Sequence, residues 1–361
     1  MRNKTTNRFI LLALLLGLLP VLPLFAGAIP VGPNVQITDS GLAGEDAYKP
    51  DLAVVDNTIY AVWEDDRDDA PYDVTSAIYF AKSTDGGATW GTNKRITRPD
   101  YDAWADDPVI AVQPDGTIWI VWYQLYRDGS NQVNDIRLAY SRDGGETFVN
   151  NKIVVNGFDS NETLWRPDIV AGAEHVHIAY RYYNCEDPCN ASSDDGYTIA
   201  LRTVDPETLS TSTSIISDNL YSGRFTDGAL DEGPAIDLTL RDGLLCAAWE
   251  DKRSRFALYG ACSQNNGQSF GSSFPITGSD SVNPQIALGA GGSLYATYAL
   301  ENDARNNIWV RHSTDQGSTW SQPIQVTNLD SFEVEYWDFE VDANDQLLLA
   351  WVPESGFSST D

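Results

Sequence analysis

Ser83-Thr84-Asp85-Gly86-Gly87-Ala88-Thr89-Trp90 decides the fold, because the chain says it again. It returns as Ser141-Arg142-Asp143-Gly144-Gly145-Glu146-Thr147-Phe148 and as Ser313-Thr314-Asp315-Gln316-Gly317-Ser318-Thr319-Trp320. A weaker copy reads Ser263-Gln264-Asn265-Asn266-Gly267-Gln268-Ser269-Phe270. An Asp side chain accepts hydrogen bonds from backbone N–H groups a few residues on, which closes a turn. The glycines take positive φ without steric cost, and the last aromatic ring packs the turn onto a sheet. Turn closure accounts for every residue of the motif, so Asp85, Asp143 and Asp315 are structural residues and need no ligand.

Outward from these turns lies a longer repeat. Apolar segments begin at Pro50, Pro108, Pro167, Pro234 and Pro284, spaced by 58, 59, 67 and 50 residues. A sixth start stands at Trp337-Asp338-Phe339-Glu340-Val341. Each start is followed by a second apolar segment, such as Thr58 to Trp63 or Thr117 to Trp122, then a third that runs into the turn motif. A fourth, such as Arg95-Ile96-Thr97, follows the motif. Alternating polarity with aromatic and β-branched residues predicts strands, and no stretch has helical periodicity. Four antiparallel strands repeated six times predict an all-β chain, a six-bladed β-propeller. Val35-Gln36-Ile37-Thr38 resembles the fourth strands yet precedes the first repeat, so it is expected to complete the last blade. That blade reads as incomplete, since nine residues follow its second strand, Leu347 to Val352.

Residues 1–28 read as an export signal. Arg2, Lys4 and Arg8 precede the apolar run Phe9 to Phe25, and Ala26-Gly27-Ala28 gives a small-residue cleavage pattern. Pro20 and Pro23 make the run a poor membrane-spanning helix. The expected product is a secreted single domain over 29–361, monomeric and without membrane insertion. Its net charge moves from −29 to −32 as three basic residues leave. Nucleic acid and anionic membrane would be repelled. The acids lie in Asp-rich loops, including Glu64 to Asp69 and Asp102 to Asp107, read as solvated surface. Calcium is the alternative there, but no spacing matches a calcium loop, so no metal and no cofactor are expected. Two local disulfides are expected, Cys185 with Cys189 in one tight loop and Cys246 with Cys262 across a hairpin.

The turn motif is the Asp box, and with its blade repeat the chain resembles secreted bacterial sialidases over nearly all of residues 29–361. The resemblance implies glycan or glycoprotein substrates and an exo-glycosidase with a Tyr nucleophile, a Glu that activates it and an Asp acid/base. Asp69, in Asp69-Ala70-Pro71 after the second strand of blade 1, matches the acid/base. Glu232, in Asp231-Glu232 before blade 4, matches the activating Glu, and Tyr336, in Tyr336-Trp337-Asp338, matches the nucleophile. Solvated loops and blade-opening aromatics account for the same residues without chemistry. The three arginines that hold a substrate carboxylate in that family have no match. Tyr48-Lys49-Pro50, Trp249-Glu250 and Val282-Asn283-Pro284 stand in their places. Arg67, Arg166, Arg181 and Arg253 are the candidate substitutes for substrate binding. The alternative function is a non-catalytic propeller that binds extracellular glycans or proteins.

Overall fold

The structure is a computed structural model that describes residues 12–17, 27–28, 35–39, 47–67, 76–98, 103–128, 131–156, 163–183, 196–218, 221–222, 236–251, 257–278, 280–300, 303, 306–328, 333–342 and 344–354. They form six antiparallel sheets in two compact units, one spanning 35–224 and the other 1–34 with 225–361.

The 35–224 unit holds three sheets. Blade 1 is Ala47–Val55, Thr58–Asp65, Ala77–Ser83 and Lys94–Arg95. Blade 2 is Ala103–Val112, Ile118–Asp128, Asn131–Ser141 and Val149–Asn156. Blade 3 is Thr163–Ala171, Val176–Tyr183, Gly196–Val204 and Thr211–Ile215, with Tyr221–Ser222 also on the third strand. The other unit holds blade 4 (Ile236–Arg241, Leu244–Asp251, Ala257–Ser263, Phe274–Pro275), blade 5 (Ser281–Leu288, Leu294–Leu300, Trp309–Ser313, Ile324–Gln325) and blade 6. Blade 6 has Glu333–Val341 and Gln346–Glu354 as its first two strands.

The turns behave as their sequence requires. In blade 1, Asp85 accepts the Thr89 N–H at 2.8 Å and the Thr89 hydroxyl at 2.6 Å, while Ser83 Oγ accepts the Gly87 N–H at 2.8 Å. Asp143 and Asp315 repeat the pattern. Asn265 keeps it, with its amide donating to Ser269 Oγ at 2.9 Å and its Oδ1 accepting the Ser269 N–H at 3.0 Å. Bonds from Thr89 and Ser83 pull the Asp85 carboxyl down to about 2. Blade 3 has lost the glycines, and Asp205 instead accepts the N–H groups of Glu207 and Thr208.

Second strands form the core because both of their faces are covered. Trp119, Trp122 and Trp249 are fully buried, and each indole N–H finds an acceptor two positions on or six positions back. A buried ring of this size is worth about 3–5 kcal/mol against truncation to Ala. The hairpin disulfide Cys246–Cys262 forms between directly paired residues, as expected. Cys185 and Cys189 lie outside the described residues.

Two expectations need correction. Val35–Asp39 is not a strand of the last blade. Its Ile37 packs with Trp90 against Trp63 and Tyr79 of blade 1, and Asn93 clamps it by donating to the Ile37 carbonyl at 3.0 Å. Blade 6 is completed instead by Leu12–Gly17, paired antiparallel from Leu12↔Trp351 to Gly17↔Gln346, with Gly27–Ala28 beyond. A second strand with an open edge offers unpaired backbone groups, and this segment satisfies them. The Asp-rich loops are not uniformly solvated either. Glu64 and Asp65 are buried, because blade 1 needs partners there for Trp63, Trp104 and Arg67.

Candidate functional site

Each blade has two unlike ends, which the strand register separates. Ser83 and its turn motif stand opposite Ile59, beside the Val55–Thr58 hairpin. At the other end, Ala47 and Tyr48 stand opposite Asp65 and Glu64, and Asp65 stands opposite Ala77. That second end holds the blade openings.

The openings share one backbone device. Lys49, Asp107, Arg166 and Asn283 each precede the repeat proline and each takes positive φ, between 44° and 53°. At each, the pairing slips, between Tyr48 and Asp51, Asp106 and Val109, Trp165 and Asp168, and Val282 and Gln285. These are β-bulges, which bend a strand and re-aim a side chain. A non-glycine residue in this region costs on the order of 1–3 kcal/mol, and such strain concentrates at functional sites.

In the 35–224 unit the bulges converge charge. Lys49 Nζ reaches Asp106 Oδ1 at 2.7 Å and Asp107 Oδ1 at 2.9 Å across the step from blade 1 to blade 2. Glu64, 7% exposed, accepts the Trp104 indole N–H at 3.3 Å. Burial and a hydrogen bond shared with Asp106 push the Glu64 carboxyl up to about 8. Glu64 therefore carries its proton at neutral pH and donates it toward an ionised Asp106. Burial acts against that ionisation, but the bonds from Glu64 and Lys49 hold Asp106 below the usual carboxylate range. Burial and the charge of Asp106 raise Asp107, while Lys49 and Arg166 pull it down. The charges of Asp107 and Asp106 hold the Lys49 ammonium up, against its burial. Over this layer the residues Trp104 and Tyr48 are about half exposed, 48% and 47%. The arrangement is a proton-sharing carboxyl pair under open aromatic rings. It can donate and accept hydrogen bonds beside an exposed aromatic surface.

The sequence-predicted residues fall differently. Arg67 is a brace: it bonds Asp65 through two nitrogens at 2.6 and 2.7 Å and Asp39 at 2.6 Å, and lies 4.3 Å from the Tyr79 ring centroid. Arg166 sits at its bulge beside the field of Asp107. Arg181 is fully buried within blade 3, opposite Trp165 and Ile199. Tyr336 lies on the first strand of blade 6, paired with Val352. Asp69, Glu232 and Arg253 lie outside the described residues. Glu250, in a place where the resemblance looks for an arginine, accepts the Asn283 N–H at 2.6 Å. Among the described residues no group of three or more His, Cys, Asp and Glu could hold a metal ion. His177 is buried against Thr203, and burial with His175 nearby lowers it to about 4.

Sequence reading missed Lys49, Glu64, Trp104, Asp106 and Asp107 as one group. The usable signal was the residue before each repeat proline, which is charged in all three blades of this unit.

Residues 57–347 match the BNR repeat-like domain, and the chain belongs to that family. No curated protein matches it. Among solved structures it is similar to the intramolecular trans-sialidase of Ruminococcus gnavus, with 12% identity and TM-score 0.55, covering 84% of this chain and 90% of that one. The leech intramolecular trans-sialidase gives 13% identity and TM-score 0.59, covering 90% and 67%. The α-L-arabinanase of Penicillium chrysogenum, solved with arabinobiose, gives 14% identity and TM-score 0.52, covering 85% and 93%. Likeness at this identity shows the fold alone, a β-propeller, as the repeat predicted.

Proposed function

We propose that this protein is an exported exo-glycosidase that removes sugars from glycans or glycoproteins. The observation that carries the reading is the Glu64–Asp106 carboxyl pair beneath the exposed Trp104. Carboxyl groups held in unlike protonation states beside an aromatic platform suit holding a sugar ring, one donating to and one accepting from its hydroxyls. Family membership and glycan-acting neighbours of both sialidase and arabinanase type support the same class.

In the finer form of the proposal, Glu232 takes the phenol proton of Tyr336 and the phenolate attacks the anomeric carbon. Asp69 gives its proton to the departing oxygen. Water, deprotonated by Asp69, then displaces Tyr336 and releases the sugar. The acidic charge of the chain supports a partner that is neither nucleic acid nor membrane. Residues 1–28 are proposed as the export leader, so the secreted product would begin at Ile29 and would give up the pairing of Leu12–Gly17 with Gln346–Glu354 that the full chain makes.

The test is hydrolysis of a panel of fluorogenic glycosides by the purified secreted protein beside Tyr336→Phe. Turnover of one glycoside, reduced at least about a hundredfold in the variant, supports the reading. Folded protein that turns over none of the panel refutes it and leaves a glycan-binding propeller.

A further inference from the structure

The cations at the blade openings of the 35–224 unit bear on which sugars the site accepts. Lys49 is held between Asp106 and Asp107, and both contacts are short enough to be charge-assisted hydrogen bonds. Arg67 has its Nε and Nη2 donating to Asp65, its Nη1 to Asp39, and its Nη2 also to Asn93. The charge of Arg166 is felt at Asp107. Arg137, at the far side of blade 2, is tied to buried Asp135 at 2.8 Å. Lys49, Arg67 and Arg137 are thus each already engaged by a carboxylate.

We propose that the sugar seated on Trp104 is uncharged, held by stacking and by hydrogen bonds from Glu64, and that a carboxylate-bearing sugar is excluded. The inference rests on the glycan-acting reading above and names its substrate class. A substrate carboxylate placed here would meet Asp106 and Asp107 and would have to take Lys49 from them. Repulsion between like charges in a part-buried site is weakly screened by salt. An uncharged hydroxyl meets the opposite situation, because Glu64 carries a proton to donate and Asp106 a lone pair to accept. The open ring of Trp104, nearly half exposed, adds an apolar surface that does not discriminate by charge.

The experiment is a glycan array carrying matched neutral and sialylated glycans, probed with the full secreted protein. The fluorogenic panel runs in parallel. The expected result is at least about a tenfold preference for neutral glycans, or about 1.4 kcal/mol. The double variant Asp106→Asn, Asp107→Asn removes both charges and releases Lys49. Asn suits the positive φ at position 107, so the bulge is retained. This variant should shift the ratio of sialylated to neutral binding by about tenfold toward the sialylated glycans. Glu64→Ala, in contrast, should weaken neutral binding. Preferential binding or hydrolysis of the sialylated member by the unaltered protein overturns the inference and leaves the glycosidase reading standing. A double variant that folds and leaves that ratio unmoved also overturns it. Neutral binding without turnover supports the substrate class while sinking the catalytic reading, and absence of binding to any glycan sinks both.

Discussion

The two ends of each blade use acidic residues in opposite ways. At the turn-motif end, Asp85, Asp143 and Asp315 are exposed and are satisfied within four residues of their own position. At the opening end, Asp106 and Asp107 are part-buried and are satisfied by Lys49, 57 and 58 residues away. The first kind of acid shapes a local turn and is indifferent to its neighbours. The second kind exists only because two blades meet, and its protonation depends on what the other blade brings. Chemistry gathers at the second end for that reason: a charge displaced from its usual proton affinity requires a surrounding that a single turn cannot supply.

The largest expected effect breaks the turn end. Gly317 takes φ of 89°, and a Cβ placed there would stand 2.5–2.6 Å from three carbons of the Phe274 ring. Gly317→Val therefore combines a forbidden backbone region with a clash against an aromatic ring. Urea unfolding should report a loss of about 3 kcal/mol or more. A loss under about 1 kcal/mol would mean the turn is loosely specified and the comparison is wrong at that end.

The next effect probes the opening end. Lys49→Met leaves Asp106 and Asp107 without their shared cation, and part-exposure limits the cost to about 1–2 kcal/mol at neutral pH. The sign with pH follows from Asp106, whose folded-state value is lowered. Its contribution is present above the ordinary carboxylate value and fades as pH falls through the lowered one. The gap between native protein and variant should thus be wide at pH 7 and close below about pH 4. Glu64 runs the other way, since its value is raised to about 8. Its contribution is complete below about 4.5 and is lost as pH rises through 8, so Glu64→Gln should gain on the native protein at pH 9. Denaturation at pH 3, 7 and 9 separates the two, and parallel curves for all three proteins would show that the cluster is not coupled.

This contrast also explains what could be read before the structure was in hand. Asp85 and Thr89 are four residues apart, so their bond is legible in one line of sequence, as are the Cys246–Cys262 pairing and the Trp63-Asp65-Arg67 brace. The alternation within Thr58–Asp65 and its repeats fixed strand identity for the same reason. Glu64, Trp104 and Asp106 were legible only as acids and aromatics, because their meeting depends on bulges at Lys49 and Asp107 that no propensity announces. Asp102 to Asp107 read as solvated surface since the partner that buries Asp106 and Asp107 belongs to another repeat. The segment that completes blade 6 was misread for a related reason: strand pairing follows backbone edges, and Val35–Asp39 looks like a fourth strand while its backbone is engaged by Asn93 and its Asp39 side chain by Arg67.

The smallest expected effect sharpens the comparison most finely. Blade 4 already carries Asn265 where its fellows carry Asp, and its turn keeps the same two bonds to Ser269. Asp143→Asn should therefore leave the turn of blade 2 closed, with the amide oxygen accepting the Thr147 N–H as the carboxylate does at 2.9 Å. Bonds from Thr147 and Ser141 hold the Asp143 carboxyl well below the usual range, so acid weakens the native turn as pH falls past 4. An amide does not titrate, and the variant's turn should be insensitive over that interval. Amide exchange at Gly145 and Thr147, followed at pH 3 and pH 6, reads this directly. Equal protection in the variant at both values, beside a fall at pH 3 in the native chain, would show that this acid serves as a local acceptor whose charge is incidental. Loss of protection in the variant at pH 6 would instead give the turn-end acids an electrostatic role and erase the distinction between the two ends.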